Sequence, residues 1–571
     1  MPTDTHGLPA NETAPRHPWM PFLWVGVASA LAHLWCLGSQ FYLDDMPAIF
    51  DSEFTRSGKF WAAGLNAWTA LGYIIQVKLF GISPAAFHAV NWLLHTTVAC
   101  VLFGFGRDFL RGRAPEGTAL FAAMLFAVHP LASEIPNYAR TQDLAWVTLF
   151  SLGASWGILR FMRGGGMWIL AGTALCMAGA TLSKGPGAFH VGMMAAVVAL
   201  TAIEPGQFAR HKRKLLWAGG TFVAGLAAFW IAGFLPKWIQ YADNTWENPR
   251  FVGHAYTLAR VFWEFSWRAV IPLQLCSDHQ IAETMVPEGG GWFGIRDKVA
   301  MIAAAGMLAL TVSSLFLTWR KPTRLFGACL FLFTATILFR VLYIVPEFMP
   351  EYRIYPGMPW FCLGAAIFLG ALWQRVPGGG SPRMAAALIL LPAIVLSARR
   401  SFVWHDMDSL CADVLKSYPA QGRAVWELHD RDMAKGDWKK IVERQQVMWP
   451  VVFNSFIEQT KKLQPARDLN SGHFALSDVA CAGRNAIAIA HLQNPAAGMA
   501  EIRKLEMRMR QLGITEETNR TIWGYYHHAR ATILEMAGAY QPALESMRFE
   551  GVFKFTQEDI ERVERKLAEK K

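Results

Sequence analysis

The chain has 571 residues, of which 53% are hydrophobic and 17% are charged, and this balance excludes an ordinary soluble protein. Apolar runs close to membrane-spanning length recur from Trp19 to about Leu396, separated by short polar loops. The net charge of +11 does not require a nucleic-acid partner, because most of it lies in the half that carries these runs, as the positive-inside rule predicts. The composition therefore predicts an all-α, polytopic membrane protein that binds membrane lipids and no nucleic acid.

In chain order, a short tail (1–18) precedes the first apolar run, FLWVGVASALAHLWCLG. This run lacks the short basic segment and the small-residue cleavage site of a signal peptide, so we expect it to remain as the first span. A later segment (261–276) carries Glu264, Arg268 and Pro272. These residues favour a re-entrant or interfacial helix, although the sequence leaves a full crossing open.

Lysine and arginine in short loops set the orientation of a membrane protein. With the N-terminus in the cytoplasm and segment 261–276 not crossing, the basic loops fall on the cytoplasmic face. This arrangement predicts about eleven spans and exports the region after residue 400. The basic loops are GRDFLRGRAPEG, LRFMRGGG, ARHKRKL, TWRKPTR and QRVPGGGSPR. The unusual polar stretches then share the exported side, where we expect a catalytic or binding surface: FYLDDMPAIF, VHPLASEIPNYARTQD, LSKGPG, YADNTWENPR, CSDHQ and PEFMPEYRIYP.

Two adjacent carboxylates, Asp44 and Asp45, follow the first span. Asp45 with Pro47 shortly after it is a common way to begin a helix. Capping accounts for one aspartate but not for two at an apolar boundary. Paired carboxylates can instead hold a hydroxyl or amine acceptor and take its proton as the nucleophile attacks.

The stretch FHAVNWLLH places His88, Asn91 and His95 on one face of a helix. This face is either a polar seam bonded to neighbouring helices or a part of the site. The spacing alone is only a weak metal signal.

The stretch FAVHPLASEIPNYARTQDL concentrates His129, Glu134, Arg140 and Asp143 where one helix leaves the membrane and the next begins. Its two prolines prevent a continuous helix. Ionisable groups at membrane depth are candidates for function, and we expect Glu134 to be one of them. Arg140 and Asp143 alternatively form a structural ion pair.

Lys184, in LSKGPG, lies between two apolar segments, where glycines permit close backbone approach. A mobile ammonium there suits a phosphate, or it is an interfacial lysine that reaches for the membrane surface. Arg353 and Tyr355 precede a late span in PEYRIYPGMPW. Arg353 could clamp a phosphate and Tyr355 could bond or stack with a sugar, or both belong to the ordinary interfacial belt.

After Ser401 the long apolar runs end and helical periodicity with charged residues returns. The stretches AKGDWKKIVERQ and MAGAYQPALESM resemble the turn between tetratricopeptide helices, with Gly436 and Gly538 about three repeats of ~34 residues apart. We predict a helical, degenerate tetratricopeptide-like domain, with a plain helical bundle as the alternative. Cys411 and Cys481 lie in this region and could pair in an oxidising compartment.

The chain has no Walker loop, no GxSxG motif and no Cys/His zinc spacing. It resembles membrane glycosyltransferases of the GT-C type, especially the transmembrane and tetratricopeptide-repeat O-mannosyltransferases and their bacterial relatives. The short matches LSKGP and YRIYP are also similar to the lipid A aminoarabinose transferases of that superfamily. The motifs that carry the resemblance are, in order, FYLDDMPAI, LFGISPAAFHAVNWLLH, LFAVHPLASEIPNYARTQDL, LSKGPG, ENPRFVGHAYTLARVFWEFSWRAVIPLQLCSD, EYRIYP and RRSFVWHDMDSLCADVLKSYP.

The resemblance implies a GT-C fold and an inverting transfer from a polyprenyl-phosphate sugar, which enters on the exported side. Asp44 would then be the base that activates the acceptor, and Asp45 its helper. The chain departs from the repeat-containing family at Gly185, where that family usually has an acidic residue. The other residues that the resemblance assigns would line the cavity (Glu134, Arg140) or hold the lipid phosphate (Lys184, Arg353).

These observations predict a cytoplasmic tail (1–18), a GT-C type membrane domain (19–400) and a periplasmic helical domain (401–571) in a bacterial inner membrane. The expected function is transfer of a sugar from a polyprenyl-phosphate donor to an acceptor, a protein hydroxyl, with the C-terminal domain binding the acceptor protein or a partner subunit. Transfer to a lipid or glycan, and a catalytically silent scaffold subunit, are the alternatives. The lipid-linked donor is the only cofactor-like partner expected, and the sequence leaves a divalent metal open. The candidate substrate-binding residues are Lys184, Arg353, Tyr355, Arg140, His129, Asp143, His88 and Asn91, beside the catalytic candidates Asp44, Asp45 and Glu134.

Overall fold

The structure is a computed structural model. It describes residues 17–115, 117–203, 208–231, 251–279, 281, 284, 292, 294–338, 340, 349–375, 381–419, 421–447, 473–511, 514–517, 519–549 and 555–570. The polar stretch YADNTWENPR lies outside the described residues, as do nearly all of the N-terminal tail and parts of CSDHQ and PEFMPEYRIYP.

The described residues form helices and no strands, which confirms the prediction of an all-α membrane protein. The chain divides into two compact units. Unit 1 contains Met1–Leu275, Ile281–Ile344 and Pro350–His405, and unit 2 contains Cys276–Gln280, Val345–Met349 and Asp406–Lys571. The cellular side on which each unit lies stays a prediction.

Unit 1 contains fifteen of the described α-helices. They are α1 (Met20–His33), α2 (Glu53–Ser57), α3 (Ala67–Phe80), α4 (Pro84–Leu110), α5 (Gly117–Ala127), α6 (Glu134–Asn137), α7 (Gln142–Met162), α8 (Met167–Ser183), α9 (Gly187–Thr201), α10 (Phe208–Ile231), α11 (Phe251–Val270), α12 (Lys298–Trp319), α13 (Arg324–Leu338), α14 (Met358–Trp373) and α15 (Pro382–Val403).

Seven helical segments among the described residues are long and apolar enough to cross a membrane, or eight if one bent pair counts as a span. The prediction of about eleven spans stays open, since the search covers the described residues alone. Helix α11, which contains most of segment 261–276, is not among the seven. The seven segments are Met20–Gly38, Pro84–Leu110, Ala139–Met162, Lys298–Trp319, Lys321–Leu338, Glu351–Trp373 and Pro382–Val403.

The bent pair is formed by α5 and the short helical segment Pro130–Asn137, which meet at 54°. The residue before a proline is driven out of the helical conformation, and His129 is extended, with φ −72° and ψ 123°. A second extended residue, Tyr138, separates this segment from α7. The sequence prediction that prolines interrupt the helix here is therefore confirmed, and most polar side chains of 129–143 lie on short helical turns and on the first turn of α7.

Small residues let α7 and α8 approach closely. A Cβ atom on Gly157 would lie 2.3 Å from Thr173 Oγ1, so a larger side chain would push the two helices apart. The turn after α8 is tighter still, because a Cβ on Gly187 would lie 2.0 Å from the carbonyl oxygen of Ala180. This turn carries Lys184, and its backbone leaves little freedom for the lysine to move.

Unit 2 is a succession of helices that pack against their neighbours in sequence. Two of its helices end at glycines in the left-handed conformation, Gly436 (φ +75°) and Gly538 (φ +67°), or close before them. These are the glycines of the two predicted repeat turns, while a tetratricopeptide identity stays a prediction. The helices are α16 (Met407–Ser417), α17 (Gly422–Lys435), α18 (438–447), α19 (His473–Leu492), α20 (Pro495–Gln511), α21 (Arg520–Met536), α22 (Tyr540–Met547) and α23 (Gln557–Glu569).

All eight cysteines lie within the described residues, and each is a free thiol. Cys411 and Cys481 are both buried in unit 2 and form no disulfide in this structure. The Cys481 thiol instead lies 3.6 Å from the carbonyl oxygen of Gly422. Packing is therefore their observed role here.

Candidate active site

The two adjacent aspartates lie in the loop between α1 and α2 and have different surroundings. Asp44 is exposed, whereas Asp45 is fully buried. Leu43, just before them, has φ +47°, a left-handed conformation that is uncommon for a branched residue. Backbone strain of this kind is most often found at functional sites.

Asp45 joins this loop to the break before α7. One carboxylate oxygen accepts the backbone N–H of Tyr42 at 2.9 Å, and the other accepts the backbone N–H of Arg140 at 2.8 Å. The side chain makes no capping hydrogen bond to the turn Met46–Phe50 that follows it. A helical turn therefore starts after Asp45, as the sequence pattern predicts, but the Asp45 carboxylate does not cap it and instead cross-links two distant loops.

Burial raises the pKa of the Asp45 carboxyl from 3.8 to about 7. The two backbone N–H donors oppose this shift, the neighbouring Asp44 adds to it, and Arg140 opposes it. A carboxyl in this position titrates near neutral pH.

Tyr138 lies directly behind Asp44. Its hydroxyl accepts the backbone N–H of Asp44 at 3.3 Å, and its ring stacks on Trp404 with the centroids 5.6 Å apart. The Tyr42 hydroxyl donates to the carbonyl oxygen of Trp404. Residues from three distant parts of the chain therefore fix the backbone on both sides of the exposed carboxylate.

The polar face of α4 supports the same two loops. The two ring nitrogens of His88 lie 3.0 Å from the Gln40 carbonyl oxygen and 3.1 Å from that of Pro136. The Asn91 amide donates to the carbonyl oxygens of Ile135 at 2.9 Å and Tyr138 at 3.0 Å. Both side chains are fully buried, so they form the polar seam that was one of the two interpretations of this face.

Lys184 and Asp143 form an ion pair beside this loop. The Lys184 ammonium lies 2.6 Å from the Asp143 carboxylate, with the lysine side chain 31% exposed and the aspartate 9% exposed. Burial lowers the pKa of Lys184, Asp143 opposes the shift, and the cations Arg140 and Arg353 add to it. Three cations therefore interact here around one partly buried carboxylate. Arg140 also interacts electrostatically with Asp44, so the cationic and acidic groups are neighbours.

Glu134 is 2% exposed and accepts the backbone N–H of Tyr352 at 2.6 Å. It therefore holds the turn that presents Arg353, and Arg353 itself is half-buried beside the Tyr352 ring. Glu134 was predicted to be catalytic; the structure shows it contacting a backbone N–H, and a catalytic role stays a prediction.

Two candidates lie away from the exposed group. Tyr355 is fully buried, and its hydroxyl lies 2.8 Å from a ring nitrogen of His95. His129 is 3% exposed and is bonded to the carbonyl oxygen of Ala269 at 2.9 Å. The structure brings together Asp44, Asp45, Arg140, Asp143, Lys184, Glu134 and Arg353, supported by His88 and Asn91, and does not bring Tyr355 or His129 to them.

Sequence reasoning missed four residues of this region: Tyr138, Gln142, Tyr352 and Trp404. Gln142 donates to the Asn91 side-chain oxygen at 2.9 Å, which extends the polar seam. Sequence reasoning also missed a buried ion pair between Arg400 and Glu351, whose charged groups are 3.6 Å apart. The sequence points to Tyr138 and Tyr352 only through their location, because both lie in polar stretches that contain other candidate residues. Among the described residues no group of three or more His, Cys, Asp or Glu side chains could hold a metal ion.

The fold and this site define an all-helical membrane protein with carboxylates and cations gathered where several of its helices end. The chain is similar to membrane O-mannosyltransferases of animals. Protein O-mannosyl-transferase F38B6.6 of Caenorhabditis elegans is 24% identical over 434 residues, which are 70% of this chain and 58% of that protein. Protein O-mannosyl-transferase TMTC4 of Mus musculus is 22% identical over 481 residues, 72% of this chain and 64% of that protein.

A shorter match has higher identity. Protein O-mannosyl-transferase TMTC1 of Mus musculus is 32% identical over 151 residues, which are 22% of this chain and 16% of that protein. The chain thus covers less than two thirds of the length of each of these relatives. No protein-family model matches the chain, and no solved structure matches it.

Proposed function

We propose that this protein is a GT-C type glycosyltransferase that moves a sugar from a polyprenyl-phosphate donor to a hydroxyl group of an acceptor protein. The observation that carries the proposal is an exposed carboxylate, Asp44, with a bonded backbone N–H and with cations in its neighbourhood. The names of the relatives support sugar transfer to protein and favour mannose as the sugar. We further propose that the site faces the periplasm of a bacterial inner membrane.

The cations suit the donor. A phosphate diester that carries a lipid and a sugar is an anion, and Lys184 and Arg353 would bind its oxygens as charge-assisted donors. The ion pair between Lys184 and Asp143 holds the ammonium in place before the donor arrives. The apolar helices around the site would accommodate the lipid chain.

Asp44 suits the acceptor. As the acceptor hydroxyl oxygen forms its bond to the anomeric carbon, the bond from that carbon to the phosphate oxygen breaks, and the lipid phosphate leaves with the electron pair. The hydroxyl proton passes to Asp44, which acts as general base. Attack opposite to the leaving phosphate inverts the anomeric centre. Asp45 takes no proton from the substrate in this scheme; it fixes the position of Asp44 through the loop.

Unit 2 would bind the acceptor protein or a partner subunit, as helical repeat domains often do through extended surfaces. No resident cofactor is needed for this scheme. The proposed chemistry uses the chain's own carboxylates and cations.

The proposal is tested by transfer of labelled sugar from a polyprenyl-phosphate donor to an acceptor peptide by the purified protein. Asp44→Asn removes the base and keeps the shape, so turnover should fall about 10²–10⁴-fold while donor binding persists. Asp51→Asn is the matched control, because Asp51 is an exposed aspartate of the same loop. Wild-type turnover in Asp44→Asn, or no transfer by the wild type with any polyprenyl-phosphate sugar, would contradict the proposal.

A further inference from the structure

An aromatic side chain, Tyr352, lies close to two of the cations of the site. The Lys184 ammonium is 5.9 Å from the centroid of the Tyr352 ring, and the Arg353 guanidinium is 6.0 Å from it. Beyond Tyr352, the ring of Tyr138 has its centroid 6.3 Å away, and the Tyr138 hydroxyl contacts the backbone N–H of Asp44. A series of contacts therefore links Lys184 and Arg353 to Asp44 through Tyr352 and Tyr138.

The two tyrosines differ in what they can contact. Tyr138 is 5% exposed and already stacked on Trp404, so it forms the back of the site. Tyr352 is half-buried and retains exposed surface. Its backbone is fixed by the buried Glu134 carboxylate, 2.6 Å from its N–H. Tyr352 therefore combines a bonded backbone with a side chain that is only half-buried.

Tyr355, the third tyrosine of this region, is too deeply buried to contact a sugar. Tyr355 is fully buried in the interior of unit 1 with its hydroxyl against His95. The short turn Glu351–Gly357 has about three residues per turn, which places Tyr352 and Tyr355 on the same side of an ideal turn, but Pro356 and the start of α14 carry Tyr355 inward. The sugar contact predicted for Tyr355 from the sequence does not fit this burial.

We propose that Tyr352 is the platform on which the sugar ring of the donor lies, and that it distinguishes a sugar-bearing lipid phosphate from a bare one. The inference rests on the proposed function. A donor with its phosphate at Lys184 and Arg353 and its anomeric carbon toward Asp44 would carry its sugar along this series of contacts, in which Tyr352 is the tyrosine next to both cations. One face of a pyranose ring presents C–H groups, and an aromatic face carries the partial negative charge that attracts them. A hexose in its ring form is thus the class of sugar that fits.

The test compares the affinity of the purified full-length protein for polyprenyl-phosphate mannose and for polyprenyl phosphate without sugar. We expect the wild type to bind the sugar-bearing lipid more tightly. Tyr352→Leu should lower this preference about two- to tenfold, the range of one aromatic contact. Tyr352→Phe, which retains the ring, should keep most of it. Lys184→Ala should weaken binding of both lipids and leave their ratio unchanged.

Tyr256→Leu serves as the control, because Tyr256 is a half-buried tyrosine of α11 that contacts Trp292 instead. An equal loss of affinity for both lipids in Tyr352→Leu would overturn the platform while leaving the proposed function intact. Unchanged binding of both lipids in Lys184→Ala would instead contradict the proposed donor site.

A measurement on the wild type alone guards against a variant that does not fold. Ring-current effects shift the protons that lie over an aromatic face, so the bound sugar's C–H protons on one face should move upfield. The absence of this upfield shift in the wild type would overturn the platform.

Discussion

Replacing Asp45 with asparagine tests whether the cross-link between the two loops positions the catalytic carboxylate. The Asp45 carboxylate accepts one backbone N–H through each oxygen, at 2.9 Å from Tyr42 and 2.8 Å from Arg140. Asparagine has a single side-chain oxygen, so its amide nitrogen must face one of these donors. One buried N–H then lacks an acceptor, which costs about 1–3 kcal/mol.

The lost hydrogen bond destabilises the ordered conformation of the loop that carries Asp44. If the whole of this free energy disfavours the catalytically competent conformation of the loop, turnover decreases about 5- to 150-fold. Donor affinity should be unchanged, because Lys184 is held by its ion pair with Asp143. The assay measures kcat and donor binding separately for Asp45→Asn and for the exposed control Asp51→Asn. Equal kcat values for the two variants would refute the cross-link as a positioning device.

Three further predictions follow from the same structure. The pKa of the Asp45 carboxyl is about 7 in the folded protein against an ordinary 3.8, so its contribution to stability is complete below about pH 3.8 and is lost as the pH rises to about 7. The melting temperature of the wild type relative to Asp45→Asn should therefore decrease over this range and then level off; a constant difference would contradict the shift. Gly187→Ala should destabilise the protein by about 1–3 kcal/mol, since its Cβ would lie 2.0 Å from the Ala180 carbonyl oxygen. Gly185→Ala, whose Cβ would meet only a leucine side chain at 3.3 Å, should melt near the wild type, and equal melting of the two variants would refute the argument. A reporter active only in the cytoplasm and fused after Lys571 should stay silent if unit 2 is exported, and a strong signal would overturn that topology.

The helical membrane architecture was predictable from the sequence because it depends on local features. Long apolar runs specify spans, and Pro130 ends α5 by its effect on the residue before it. The candidate stretches were predictable for a similar reason, since clusters of ionisable residues at apolar boundaries are unusual. Each of these signals is contained in fewer than about thirty residues, the length of a long membrane-spanning helix.

The partners of the candidate residues were not predictable from local sequence. Asp45 bonds to Arg140, and Glu134 bonds to Tyr352, across long separations in the chain. No spacing rule relates such residues, because the packing of α4, α7 and the turn Glu351–Gly357 brings them together. For the same reason the sequence could not show that Tyr355 is buried while a tyrosine three positions earlier is accessible.

The capping interpretation of Asp45 shows how a local rule can mislead. An aspartate followed by a proline two residues later matches the start of a helix. In the structure the carboxylate turns away from the following turn and toward Tyr42 and Arg140.

The most direct test of the central claim is a map of the full-length protein in a lipid nanodisc with bound polyprenyl-phosphate sugar. We expect the phosphate to lie within about 3 Å of the Lys184 ammonium and the Arg353 guanidinium, with the anomeric carbon directed toward Asp44. Use of Asp44→Asn would hold the donor in place without turnover. A phosphate bound away from both cations, or a sugar directed away from Asp44, would contradict the account.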